Sequence, residues 1–335
     1  MKNIAGVLTI LVSLLLLVSC ASSVAGWVTD PYSDYSKDLY ICGLGFGETE
    51  SQADTEAKAQ LASMFGLSVS SDVKSSIQQQ SFGNDKNLTE HFSQYFSSES
   101  SINYSVEKLY GVTIADRTVV DGKCVSLAVM EKRTTADYYL SRLEPTKQNI
   151  ANAESHAREN IGTMKGVRDA SECIRLCDEY NSQVAICNYL SNTRLEYMGL
   201  AEASELNRQT VDAVVIGVEV NGDDSGVVKS AVSRVLTEFG FTVSNGTEVP
   251  SAKATVTVNW RESAGTGVAS SFIFANYNAD VSLVDIAGNE TVMVFAASGK
   301  EGHQSYENAK GRATSSLASQ IETEFRKVLN ENFGY

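Results

Sequence analysis

Leu39-Tyr40-Ile41-Cys42-Gly43-Leu44-Gly45-Phe46-Gly47, followed by Glu48-Thr49-Glu50-Ser51-Gln52-Ala53-Asp54-Thr55-Glu56-Ala57-Lys58-Ala59-Gln60-Leu61-Ala62, is the stretch that decides the fold. Residues Leu39–Phe46 read as an apolar strand, with glycine at alternate positions towards its end. From Thr49 to about Ser71 the pattern is helical. Thr49 or Ser51 can cap that helix, and Glu48, Glu50 and Asp54 complement the positive end of its dipole. Its inward stripe is Ala53, Ala57, Leu61 and Met64. That stripe is small at first and larger later, which lets the first turns come close to a sheet.

Downstream, the polar Ser75–Ser101 reads as a loop or hairpin edge. Strands are expected at Ile102–Leu109, Val112–Val120 and Lys123–Met130, with Asp121-Gly122 as a hairpin turn. Residues 133–208 look helical, with Pro145 starting a new helix. A turn at Tyr180-Asn181-Ser182 would make them a long antiparallel hairpin. From Val211 the apolar period changes from 3.6 to 2. A strand at 211–220, a helix at 225–239, short strands at 241–244 and 254–261, longer ones at 271–286 and 291–298, and a helix at 305–330 follow. In the third strand Val256, Val258 and Trp260 alternate with Thr255, Thr257 and Asn259, so one face packs and the other meets water. The expected class is therefore α+β. Two small αβ sandwich domains, each a sheet covered by helices, occupy residues 27–132 and 211–335, with the 133–208 hairpin between them. The second reads β-α-β-β-β-β-α.

Upstream, Lys2 precedes an apolar run, Ile4–Val18, broken only by Gly6, Thr9 and Ser13. It suits a signal peptide and falls short of the roughly 20 residues of a spanning helix. Leu17-Val18-Ser19-Cys20 resembles the lipobox of bacterial lipoproteins, in which the cysteine thiol takes a diacylglycerol. Residues 1–19 are then the signal peptide and 20–26 a tether. Cys20 is the lipidation site and the lipid bilayer the first partner. Ala21-Ser22 lacks the aspartate that retains lipoproteins at the inner membrane, which favours the outer membrane, on either its periplasmic or its surface face.

Trp27-Val28, the strand Leu39–Gly47, Gln52-Ala53 and Ala57-Lys58-Ala59-Gln60-Leu61-Ala62 together resemble the LPP-twenty lipoprotein family. Gly111-Val112-Thr113-Ile114 and Val125-Ser126-Leu127-Ala128-Val129-Met130 resemble its closing strands. The likeness covers residues 27–132, and Gly166 to Leu195 is similar to the helical insert of longer members. Similar domains occur at the N-terminus of flagellar assembly protein T. The resemblance implies an outer-membrane lipoprotein without established catalysis.

The balance of 27 Lys+Arg against 41 Asp+Glu gives a charge of -14. With no basic run to offset it, nucleic acid is excluded as a natural partner. The glycines of Gly43–Gly47 lack the Gly-x-Gly-x-x-Gly spacing of a dinucleotide loop and read as a tight strand-to-helix turn. His91, His156 and His303 stand far apart and lie in no nucleophile motif. No catalytic residue, metal site or cofactor is assigned. Beyond Cys20 five cysteines remain, an odd number. Cys173 and Cys187 are equidistant from Tyr180, so a disulfide across the hairpin is the leading reading. Free core thiols come next, then a metal held by Cys173, Cys177 and Cys187, a spacing that matches no common zinc pattern. Cys42 and Cys124 lie on two strands of one sheet and could also pair. In the C-terminal domain Gly265-Thr266-Gly267 is the candidate partner contact, by strand addition at that loop or a sheet edge beside it; Phe272, Ile273 and Phe274 read more simply as buried strand residues. The functional expectation is a non-catalytic envelope protein binding other envelope proteins. An accessory factor of flagellar or secretion-machinery assembly is the alternative, and a cell-wall hydrolase the less favoured third.

Overall fold

The computed structural model describes residues 25–79, 109–269 and 271–334. The lipobox with Cys20, the expected strand at Ile102–Leu109 up to residue 108, and most of Ser75–Ser101 lie outside them. The protein is α+β. It divides into two compact units. One takes the chain up to Ser141 together with Ala185–Leu195, and the other takes Arg142–Val184 with Glu196–Tyr335.

In the first unit a short helix α1 (Gly26–Thr29) precedes β1 (Tyr40–Gly47) and α2 (Glu50–Gln79). Strands β2 (Thr113–Val120) and β3 (Lys123–Glu131) complete a sheet of order β1-β3-β2, antiparallel throughout. Asp121 and Gly122 both have positive φ, 50° and 80°, the geometry of the expected two-residue hairpin turn. Trp27, Cys42, Val125, Leu127 and Val129 form the core on one face. On the other lies α2. Thr49 Oγ1 accepts the Gln52 N–H at 3.3 Å, while Gln52 Oε1 accepts the Glu48 N–H at 3.0 Å, a reciprocal cap at its start. Its buried stripe is Ala53, Ala57, Leu61, Phe65 and Val69, strictly four apart. Met64 is exposed, so the expected stripe drifted by one position where Phe65 takes the inward place.

The contact of α2 with β1 explains the glycines. A Cβ on Gly43 would stand 2.6 Å from the Ala57 carbonyl oxygen, and one on Gly47 would stand 2.6 Å from the Ala53 nitrogen. One on Gly45 would overlap both the Ala53 oxygen and the Ala57 nitrogen. Across the strand pair Gly43 faces Ala128, Gly45 faces Ser126 and Gly47 faces Cys124. The helix thus rests on a floor of small residues from two strands.

The helical region differs from expectation in its turns. α3 (Lys132–Glu159) runs straight through Pro145. Proline has no N–H, so the Ser141 carbonyl loses its helical donor, and the division between the two units falls at that residue. The chain reverses at Asn160–Thr163, where Gly162 has φ 87° and Thr163 Oγ1 accepts the Gly166 N–H at 3.0 Å, capping α4 (Met164–Ser191). Tyr180-Asn181-Ser182 lies inside α4. After a non-helical stretch α5 (Ala201–Asp212) follows, so the strand expected from Val211 starts later, as β4 (Val215–Asn221).

The second unit continues with α6 (Val227–Glu238), β5 (Thr242–Val243), β6 (Ala252–Ala264), β7 (Ile273–Asp285), β8 (Glu290–His303) and α7 (Tyr306–Phe333). This is the expected β-α-β-β-β-β-α order. The sheet runs β5-β4-β6-β7-β8, with β4 parallel to both neighbours and the last three antiparallel. α6 and α7 pack on each other and on one face. They place Val232, Leu236, Leu317, Ile321 and Phe325 against Ile216, Val256 and Leu283. Met164 and Val167 of α4 join this core, so the hairpin is part of the second domain as well as a connection to it.

Gly45→Ala should cost about 3 kcal/mol or more, because the helix backbone has to move; a lowered melting temperature of the purified chain checks it. Gly311→Ala is the control. Gly311 is helical with open space around it, so alanine there should stabilise by about 0.4–1 kcal/mol.

Candidate functional site

At the glycine turn two backbone amides are taken by side chains of α2. The Leu44 N–H is taken by Gln60 Oε1 at 2.5 Å and the Glu48 N–H by Gln52. Beside the turn is an open cleft of about 480 Å³ lined by Phe46, Gly47, Glu48, Ser51, Gln52, Thr55, Glu56 and Lys123. Its two carboxylates and one ammonium make it unsuited to an anion. In the same unit, Arg117 donates to both oxygens of Asp54 at 2.9 and 2.8 Å, and Ser126 Oγ donates to the same carboxylate at 2.7 Å. The guanidinium chiefly, with the hydroxyl's help, holds the Asp54 carboxyl below its ordinary pKa. A carboxylate so engaged ties α2 to β2 and β3 and is a poor proton shuttle.

The two expected disulfides are corrected by the elements that carry the cysteines. Cys173 and Cys187 stand fourteen positions apart on the single helix α4, roughly 21 Å at 1.5 Å per residue, far beyond the reach of a bridge. The expected turn is absent because Asn181 sends both ends of its side-chain amide to the backbone of Met198 and leaves the helix unbroken. Cys42 faces Val129 and Cys124 faces Gly47. Five positions along a strand pair separate them by roughly 16 Å. All five described cysteines are free thiols, and only Cys124 is not fully buried. Burial pushes the Cys42 and Cys187 thiols up to about 11, with Asp30 adding to the effect at Cys42.

His91 lies outside the described residues. His156 is exposed on α3, and His303 Nδ1 accepts the Ser305 N–H at 3.4 Å. Among the described residues no group of three or more His, Cys, Asp or Glu is placed to hold a metal.

The Gly265-Thr266-Gly267 segment caps the β6–β7 hairpin as a closed turn. The Gly265 N–H bonds to the Phe272 carbonyl at 2.8 Å and the Phe272 N–H to the Ala269 carbonyl at 2.9 Å. Phe272, expected to be buried, is 41% exposed. Phe274 covers Gly302 and Tyr277 covers Gly299 on β8, aromatic rings filling the space that the glycines leave at the edge. β8 is the outer strand of the sheet. The edge of β1 is treated differently. There the Cys42 N–H is met by the Tyr32 hydroxyl at 3.4 Å and the Leu44 N–H by Gln60. Among the described residues no hydrogen bond reaches the outer side of β8.

One functional group escaped the sequence reading. Asp285, fully buried at the end of β7, accepts the Met164 N–H at 2.7 Å and the Gly288 N–H at 2.8 Å. Its signal was an Asp three residues before a turn glycine.

No family model matches this sequence, and no curated protein matches it. Among solved structures it is similar to a secreted protein of Helicobacter pylori, at 12% identity over 87% of this chain and 98% of that one, with a TM-score of 0.49. A minor lipoprotein of Acinetobacter baumannii matches at 15% identity over 34% of this chain and 92% of that one, TM-score 0.27. A Neisseria meningitidis lipoprotein matches at 19% over 33% and 99%, TM-score 0.23. The likeness of residues 27–132 to LPP-twenty lipoproteins therefore rests on the residues quoted for it. No helix among the described residues is long and apolar enough to cross a membrane.

Because the folded Asp54 pKa lies below the unfolded value near 3.9, its stabilisation is present above about pH 4 and is lost as pH falls through the folded value. Asp54→Asn should lower the melting temperature at pH 7, and the difference between the two proteins should shrink as the pH falls below about 4. In peptide mapping without reduction, Cys42, Cys124, Cys173, Cys177 and Cys187 should all be recovered as free thiols. Cys124 should react first with iodoacetamide in the folded chain.

Proposed function

We propose that this chain is a non-catalytic bacterial envelope lipoprotein, anchored in the outer membrane through acylated Cys20, that docks an extended segment of a partner protein along the outer edge of β8. The observation that carries the reading is the run Met293-Val294-Phe295-Ala296-Ala297-Ser298-Gly299 on that edge strand. Edge strands are commonly protected by charge, proline or a bulge. This run has no charge and no proline, and the one bulge in the β7–β8 pairing, at Leu283/Val284 opposite Met293 and Thr291, lies at its start and leaves Val294–Gly299 in regular register. Val294 is 71% exposed beside it. An added strand would find a row of backbone donors and acceptors, with Val294 and Ala296 giving side-chain contacts on the open sheet face. The Gly265–Gly267 turn with exposed Phe272 stands at the far end of the neighbouring strand and would border the same surface. The charge of -14 favours a partner segment with Lys or Arg flanking its strand.

Two measurements test it. Cys20→Ala should leave an unprocessed precursor that takes up no labelled palmitate; processing and labelling that persist would remove the anchor. A photo-crosslinking residue at position 296 should give a protein adduct in intact envelopes that disappears with Val294→Lys. The same probe at Thr257, inside the sheet, should give none. Equal adducts from both positions would remove the edge as the docking surface.

A further inference from the structure

On a helix, positions four apart lie on one face about 5–6 Å apart at their Cβ atoms. Cys173 and Cys177 of α4 have that spacing, and each is 2% exposed. A third sulfur completes the group, because Met198 Sδ lies 3.7 Å from Cys177 Sγ. Met198 does not reach this place by loose packing. One turn beyond Cys177, the fully buried Asn181 accepts the Met198 N–H at 2.7 Å and donates to the Met198 carbonyl at 3.0 Å. The backbone of the thioether residue is thereby pinned to the helix that carries the thiols. This is the work that outer-shell groups do around metal ligands.

We propose that Cys173, Cys177 and Met198 form a buried three-sulfur site for a soft monovalent ion, copper(I). Two sulfurs each roughly 2.3 Å from one ion and about 120° apart are separated by about 4 Å, which the Cys177–Met198 spacing nearly meets. The donor set argues against zinc, which takes four nitrogen, sulfur or oxygen ligands in closed sites. Two thiolates and a thioether are the soft set that selects copper(I). In binding, both thiols lose their protons to solvent, two copper–thiolate bonds and one copper–thioether bond form, and copper stays in the monovalent state throughout, so no oxidant or reductant is consumed.

The test titrates the full chain, purified in detergent under anaerobic conditions, with copper(I) held by the coloured chelator bicinchoninate. One equivalent of copper should leave the chelator, and X-ray absorption of that sample should show three sulfurs near 2.3 Å. Cys173→Ser and Cys177→Ser should each weaken binding more than 100-fold, Asn181→Ala by 10- to 100-fold, and Met198→Leu by about tenfold. Cys42→Ser and Cys187→Ser should leave it unchanged. Met198→Leu keeps the core volume, so its result stands even where a serine variant misfolds. Copper left on the chelator, full-strength binding by Cys173→Ser or Met198→Leu, a two-sulfur absorption spectrum, or equally tight binding of zinc would each overturn the site.

Discussion

The first unit depends on a helix backbone lying directly on a strand backbone. Between α2 and β1 no Cβ fits at Gly43, Gly45 or Gly47, and the helix answers with Ala53 and Ala57 at its closest turns. This closeness sets the rest of the unit. β3 has to offer small residues opposite the glycines, and it does so with Ala128, Ser126 and Cys124. The narrow gap also admits one polar row. Ser126 and Arg117 reach up from neighbouring strands to Asp54, so the helix register is fixed by a charge-assisted contact as well as by shape. Leu61 still sits directly on Gly43, and Phe65, one turn further on, meets the ring of Tyr189 edge-on.

A second constraint ties the helical pair into the other unit. A buried carboxylate needs several donors to offset its lost hydration. Asp285 finds them at the first turn of α4 and in the β7–β8 turn. The partial positive charge at the helix N-terminus adds to these hydrogen bonds. It joins Met164, next to the reversal of the helical pair, to the end of a central strand. Met164 and Val167 then pack into the sheet core, and Ser171 Oγ reaches the Phe333 carbonyl at 3.2 Å near the end of α7.

The strands, the Ala-rich helix and the β-α-β-β-β-β-α order were legible because their apolar periods are clean and their turns use glycine in ordinary ways. The helical region was not, for identifiable reasons. Asn160-Ile161-Gly162-Thr163 carried both a helix-ending glycine and a capping threonine, but Ile161 and Met164 continue the helical spacing of Ile150, Ala153 and Ala157 and hid it; Ile161 is in fact 47% exposed. Tyr180-Asn181-Ser182 looked like a turn because Asn commonly folds its side chain onto nearby backbone. Here that side chain serves residue 198, a contact seventeen positions away that no local pattern announces. The disulfide pairing inferred from that turn failed with it. Pro145 misled in the opposite sense, since a helix held at both ends by separate cores can tolerate one missing hydrogen bond. The status of β8 as an edge was equally hidden, because strand order depends on pairing between distant segments.

The two sheets handle their edges by opposite means, and this is what gives the docking reading its physical content. An exposed edge invites unwanted association and is usually protected. β1 is sealed by side chains from its own unit, Tyr32 and Gln60, at the cost of fixing those groups. β8 instead keeps two aromatic rings over its glycines, which stiffens the strand without covering its outer donors and acceptors. An edge that no hydrogen bond among the described residues covers presents strand geometry before a partner arrives, and preorganisation lowers the entropy lost on binding. A mobile edge would have to be ordered first. The same aromatic contacts that compensate for Gly299 and Gly302 therefore make β8 a better template for an added strand than its length alone would.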